Sequence, residues 1–213
     1  AYDAMGRLSR TQSPGATSGS DNLGTITRTV FDALGRVSQQ WVGTNDNSNG
    51  GLTGGSSNMV KVAQMEYDGG SGGGNSHLTT RTAYIQDSDT DKRETTYEHD
   101  FRGRAIVQNN PQAPHVVRTF DNLGRQTAVG LYSSTSGLTE TTDPVSVDTN
   151  RVALSQMYYD ERGRVWKSER HNIDEDGTSL ETLLTLTWFD PAGRVMKVDG
   201  EQLVKYVYNR VGW

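Results

Sequence analysis

A seven-residue motif, aromatic-Asp-x-x-Gly-Arg-aliphatic, returns along the whole of this 213-residue chain and limits what it can fold into. It reads Tyr2-Asp3-Ala4-Met5-Gly6-Arg7-Leu8, Phe31-Asp32-Ala33-Leu34-Gly35-Arg36-Val37 and Phe120-Asp121-Asn122-Leu123-Gly124-Arg125. Two later copies are Tyr159-Asp160-Glu161-Arg162-Gly163-Arg164-Val165 and Phe189-Asp190-Pro191-Ala192-Gly193-Arg194-Val195. Three more are degraded: His99 replaces the aromatic before Asp100, Gly103 and Arg104, Tyr67-Asp68 runs into a glycine-rich stretch, and Tyr208-Asn209 lacks the Arg. The eight copies start 29, 36, 32, 21, 39, 30 and 19 residues apart, so a unit of about 20 residues carrying insertions is expected.

Each copy suits the tip of a β-hairpin. Asp at the first turn position accepts hydrogen bonds from the turn's own amides, and Gly at the fourth can take positive φ, giving a type I turn closed by a Gly bulge. The flanks are β-rich and partly alternating, as in 25–30 before Phe31, 60–66 before Tyr67 and 183–188 before Phe189. An all-β fold of hairpins stacked into a curved, twisted sheet is therefore expected, as a single array over 1–213. Polar inserts near 43–58, 69–76, 133–150 and 170–180 offer little to bury and are expected to be mobile surface loops.

At these residues the chain resembles the RHS/YD-repeat family, whose signature is Tyr-Asp followed by Gly-Arg and an aliphatic residue. The resemblance runs from Tyr2 to Gly212. It implies strand-turn-strand units in a long sheet that spirals into a shell or barrel, similar to the cocoons of bacterial polymorphic toxins and insecticidal ABC toxins or to the teneurin adhesion receptors. It further implies a secreted or cell-surface location, with neighbouring repeats, an enclosed toxin segment or surface glycans as partners. The Asp-Pro-x-Gly-Leu signature that closes such shells is missing; Asp190-Pro191-Ala192-Gly193-Arg194 comes nearest, with Arg in place of Leu. The chain opens at Ala1 without Met or a targeting segment and is expected to be a piece of something longer.

Two readings of the repeated residues compete. Arg7, Arg36, Arg104, Arg125, Arg164 and Arg194 form either a structural ladder on neighbouring aromatics and Asp residues or a row of ligand-binding cations. The ladder is preferred because every Arg travels with its own Asp. Likewise Tyr2, Phe31, Tyr67, Phe120, Tyr159, Phe189 and Tyr208 form either inter-hairpin packing, the preferred reading, or a sugar-stacking stripe. His77, His99, His115 and His171 stand in no zinc or Ser-His-Asp spacing. Asp87, Asp89 and Asp91 place oxygens at alternate positions as calcium prefers, but Lys92 stands where such a loop needs Gly, and Asp174-Glu175-Asp176-Gly177 is a similar acidic tip. Both are read as solvated loops.

Composition narrows the function classes. With no cysteine, thiol chemistry, disulfides and Cys-zinc sites are excluded. A sequence pI near 5.4 disfavours nucleic acid, and no apolar run approaches the roughly 18 residues of a membrane-spanning helix. Leu (14), Ile (4), Val (18) and Phe (4) total 40 of 213 residues, low enough to suggest disorder, but 21 basic and 26 acidic residues nearly cancel and 24 Thr favour strands. The expected role is a non-catalytic scaffold, the wall of a shell that encloses or presents a toxin or effector. The alternative is a carbohydrate-binding or adhesion module using loop aromatics such as Trp41 or Tyr132.

Overall fold

Strand-favouring runs separated by Asp-x-x-Gly turns produce an all-β chain, in which every strand runs antiparallel to its sequence neighbour within each of two compact units, 1–97 and 98–213. The computed structural model describes residues 1–13, 24–46, 58–70, 74–85 and 91–208. Unit 1 holds β1 (Arg10–Gln12), β2 (Ile26–Phe31), β3 (Val37–Gly43), β4 (Val60–Tyr67), β5 (Leu78–Tyr84) and most of β6 (Lys92–His99). Unit 2 holds β7 (Ala105–Asn109), β8 (His115–Phe120), β9 (Gln126–Tyr132), β10 (Arg151–Tyr159), β11 (Val165–Ile173), β12 (Ser179–Phe189), β13 (Val195–Asp199) and β14 (Leu203–Lys205). Residues 179–187, an apolar run, lie within the strand β12.

The motif copies that start at 31, 67, 99, 120, 159 and 189 each join an even-numbered strand to the following odd-numbered one, and the first copy is closed by a bridge between Tyr2 and Leu8. The aromatic is the last residue of the incoming strand, and the register shifts by one residue beside it, as between Val30 and Phe31 or Trp188 and Phe189. At the tips the Gly amide donates to the Asp carbonyl and the Asp amide to the Arg carbonyl, for example Gly35 N to Asp32 O at 3.0 Å and Asp32 N to Arg36 O at 2.8 Å. This is the three-residue hairpin loop with a Gly bulge, and it needs a left-handed residue at its fourth position. Gly35 and Gly193 supply it at φ 85° and 88°. The glycine-rich copy makes a wider tip, where Asp68 N donates to His77 O.

The remaining connections, including most of the sequence inserts, lie at the opposite strand ends. Two of these inserts differ from what composition suggested. Residues 170–173 and 179–180 belong to β11 and β12, and only a turn at 174–178 is left between them. The segment 133–150 forms a strap that does bury side chains: Leu138 and Pro144 are buried, and Val147 packs against the core cluster of Ile106, Val107, Val117 and Tyr132. A few well-placed apolar residues suffice where a face of β7–β10 lies open beneath them. Of the stretch 43–58 only 43–46 and 58 are described, and of 69–76 only 69–70 and 74–76. Among the described residues of unit 1, the buried apolar side chains are Ile26, Met59 and Ala63.

Gly35→Val and Gly193→Val should each lower stability by about 1 kcal/mol or more, because a β-branched residue at positive φ is strained. A methyl on Gly35 would also lie 3.0 Å from Arg7 Nη1. Thermal melts read the loss, and wild-type melting in either variant would refute the bulge assignment.

Candidate functional site

Asp121 shows how a tip fixes its cation. Oδ1 accepts the amides of Leu123 and Arg125, both at 2.9 Å, and Oδ2 accepts Arg125 Nε at 2.6 Å. The same carboxylate-to-Nε bond spans 2.6–2.7 Å from Asp3, Asp32, Asp100, Asp160 and Asp190 to Arg7, Arg36, Arg104, Arg164 and Arg194. A guanidinium held at Nε by its own tip has only one direction left, and it reaches forward onto the next tip. Arg7 lies 4.4 Å above Phe31, Arg36 4.4 Å above Tyr67, Arg104 4.6 Å above Phe120 and Arg125 4.5 Å above Tyr159. Arg164 covers Phe189 at 4.2 Å and Arg194 covers Tyr208 at 4.5 Å.

Further bonds run alongside these stacks. Arg36 Nη1 meets Asp68 Oδ2 at 2.8 Å, and Arg104 Nη1 donates to Asp121 O at 3.2 Å. In the reverse direction, Tyr67, Tyr159 and Tyr208 donate their hydroxyls to Val37, Gln126 and Val195, each the residue that follows the preceding Arg. Arg102 and Arg162, outside the motif's fixed positions, reach the Asn122 and Pro191 carbonyls of the following tip. Sequence reasoning missed these last two sets. The tyrosines' choice over phenylalanine was the only available signal.

The carboxylates respond to this setting. In Asp32, Asp100 and Asp121 partial desolvation pushes the carboxyl up, but hydrogen bonds from the motif Arg and the turn amides outweigh it and hold the group below its usual range. For Asp3 and Asp190 the largest influence is the amide of the following Arg, and for Asp160 it is the Arg164 side chain; all three are lowered. Asp68, which has no Arg of its own, is lowered chiefly by the Arg36 side chain from the preceding tip.

The other candidates have structural neighbours. Tyr132 is fully buried rather than exposed, because it ends β9 beneath the strap, and burial pushes its hydroxyl pKa up. Trp41 sits half-buried in β3 with Arg28 5.1 Å over its ring. Cross-strand partners repeat that arrangement at Lys167 over Tyr158 (4.1 Å) and Lys197 over Trp188 (4.0 Å). Strand register brings His171 to Ser179 (2.8 Å) and Gln156 (2.9 Å). Glu169 stands 4.0 Å from the same ring, yet its direct partners are Lys167 and Tyr158, each at 2.8 Å, so among the described residues no carboxylate hydrogen-bonds the imidazole.

Asp87 and Asp89 lie outside the described residues, and the Asp91 carbonyl accepts Ile85 N. In the other acidic tip, Asp174 Oδ1 accepts the amides of Asp176 and Thr178, repeating the motif's turn without its Arg. Among the described residues no group of three His, Asp or Glu could hold a metal. An open groove of about 530 Å³ runs beside the first link, lined by Tyr2, Arg7, Arg28, Phe31 and Asp46, and its Arg28 pairs with Asp46 at 2.7 Å.

Two measurements probe the ladder. Because the tip carboxyls are lowered in the folded state, their stabilisation is complete above the unfolded value near 3.9 and is lost as pH falls through the lower folded values. The urea midpoint should therefore hold steady between about pH 7 and 5 and fall below about pH 4, with a shallower fall in Asp121→Asn and Asp160→Asn. In a double-mutant cycle of Arg164→Met and Phe189→Leu, the coupling should be about 0.5–1 kcal/mol. Additive losses would mean that the stack contributes nothing.

No family model and no curated protein matches the chain. Among solved structures it is similar to the crystal structure of TcdB2-TccC3-TEV, at 13% identity and a TM-score of 0.33, covering 100% of this chain and 12% of that one. The corresponding values are 13%, 0.32, 90% and 12% for TcdB2-TccC3-Cdc42. For TcdB2-TccC3 without its hypervariable C-terminal region they are 13%, 0.31, 97% and 12%. The chain thus spans about an eighth of the length of each.

Proposed function

We propose that this chain is a non-catalytic scaffold, a wall segment of a large secreted or cell-surface protein of the RHS/YD-repeat type that encloses or presents a toxin or effector segment. The observation that carries this reading is the use of the repeated chemistry inside the protein. Six motif Asp residues are each taken up by their own turn and Arg, and each of those six Arg residues by the next aromatic ring. A row of cations serving a ligand would leave guanidinium donors facing outward; here Nε is bound and the plane is stacked. At six tips a cation covers one face of the ring that a sugar would need, and one face of Tyr158 and of Trp188 is covered as well, while Tyr2 stays exposed. Carbohydrate binding through the aromatic stripe is disfavoured on that ground.

Electron microscopy of the full-length product of the reading frame tests the scaffold reading. A hollow particle with internal density is expected, together with a segment that resists protease until the wall is unfolded. Trp166 in β11 is an exposed aromatic, so a solid rod, or saturable glycan binding lost in Trp166→Ala, would overturn the reading.

A further inference from the structure

Arg151 opens β10 in unit 2 and is a buried cation, 4% exposed, whose acceptors are main-chain carbonyls. Nη1 donates to Pro144 O at 2.8 Å and Val145 O at 3.2 Å, both in the 133–150 strap. Nη2 donates to Gly177 O at 2.9 Å, in the 174–178 tip that joins β11 to β12. Nε is buried and has no hydrogen-bond partner among the described residues. Two loops separated by a whole hairpin therefore share one guanidinium.

The strap has two other anchors. Pro144 fills the notch left by the missing side chain of Gly130, where a methyl would lie 2.6 Å from Pro144 Cβ. Tyr132 donates its hydroxyl to Val147 O at 2.9 Å. The 174–178 tip meets the strap directly: Gly177 is buried, and a methyl on it would collide with Asp148 O. Beneath the strap, Leu138 closes over Val107, Val117 and Tyr132.

We infer that the 133–150 strap and the 174–178 tip form one lid, locked by Arg151, which opens and closes as a unit over the apolar row Val107, Val117 and Tyr132. If the strap lifted alone, Arg151 would lose the Pro144 and Val145 carbonyls while the tip still covered it. If the tip lifted alone, the guanidinium would lose Gly177 while the strap covered it. A buried charge stripped of acceptors costs more than one released to water, so the two departures favour each other. The unpartnered Nε leaves no reserve of hydrogen bonding to cushion a partial loss. The planar fork of arginine holds three carbonyls at once; a lysine ammonium in its place lacks that geometry. Opening would bare the Gly130 notch and the apolar row together.

Amide hydrogen exchange on the 213-residue chain tests the lid through Tyr132→Phe, which removes a contact to the strap alone. Exchange at Leu138 and Val147 in the strap and at Gly177 in the tip should accelerate by the same factor, about fivefold for one lost hydrogen bond. Asp121 and Gly124, in a tip that Arg151 does not touch, should keep their wild-type rates. In the Arg151→Met background the same change should accelerate the strap alone, since the lock is gone. A Gly177 amide left at its wild-type rate in Tyr132→Phe overturns the proposal, whatever the strap does. That result does not depend on whether Arg151→Met folds, and it would leave the scaffold reading untouched.

Discussion

A guanidinium held at one edge by its own carboxylate and laid across the next aromatic ring is the contact on which the tips depend. The Asp side chain performs two tasks at once, closing the turn through Oδ1 and aiming the Arg through Oδ2. Neighbouring tips are two strands apart, about 10 Å, which a long arginine side chain can bridge and a shorter one cannot. Since that distance is set by strand spacing and not by the residues in between, the link survives sequence separations from 19 to 39 residues. Insertions accumulate at the other strand ends, where no such link has to be kept.

Turn chemistry is local, and so the hairpins could be read from the sequence: Asp, Gly and the β-rich flanks stand within a dozen residues of one another. Register is not local. The partners of His171, the lysines over Tyr158 and Trp188, and the tyrosine hydroxyls that reach back to the preceding tip depend on which residues face each other across strands, and nothing in one heptapeptide specifies that. The heptapeptide also does not say whether Arg125 stacks on its own aromatic, Phe120, or the next one, Tyr159; the two-strand spacing decides. Composition failed at 133–150 for another reason. Leu138, Pro144 and Val147 are few among polar neighbours, but each meets a prepared place, such as the notch at Gly130.

The low content of large aliphatic residues follows from the same construction. Among the described residues, buried apolar side chains in unit 2 concentrate under the strap, and in unit 1 they are Ile26, Met59 and Ala63. Along the tips, order comes from charge-assisted hydrogen bonds and cation–ring stacking, which need Asp, Gly, Arg and one aromatic per hairpin in place of a wide apolar face. Where the glycine-rich copy lacks its Arg, the next copy has His99 in place of the aromatic.

Arg reaches toward the C-terminal neighbour and Tyr toward the N-terminal one, which gives the array a direction as well as a period. Every such link joins hairpins that are adjacent in sequence, so lengthening the array adds contacts without lengthening the loops that must close to form them. A chain leaving the ribosome N-terminus first presents a finished tip, with its guanidinium already aimed, before the ring it will hold has been synthesised. Growth by one hairpin at a time, each docking on a site built by the last, is the folding order this polarity favours.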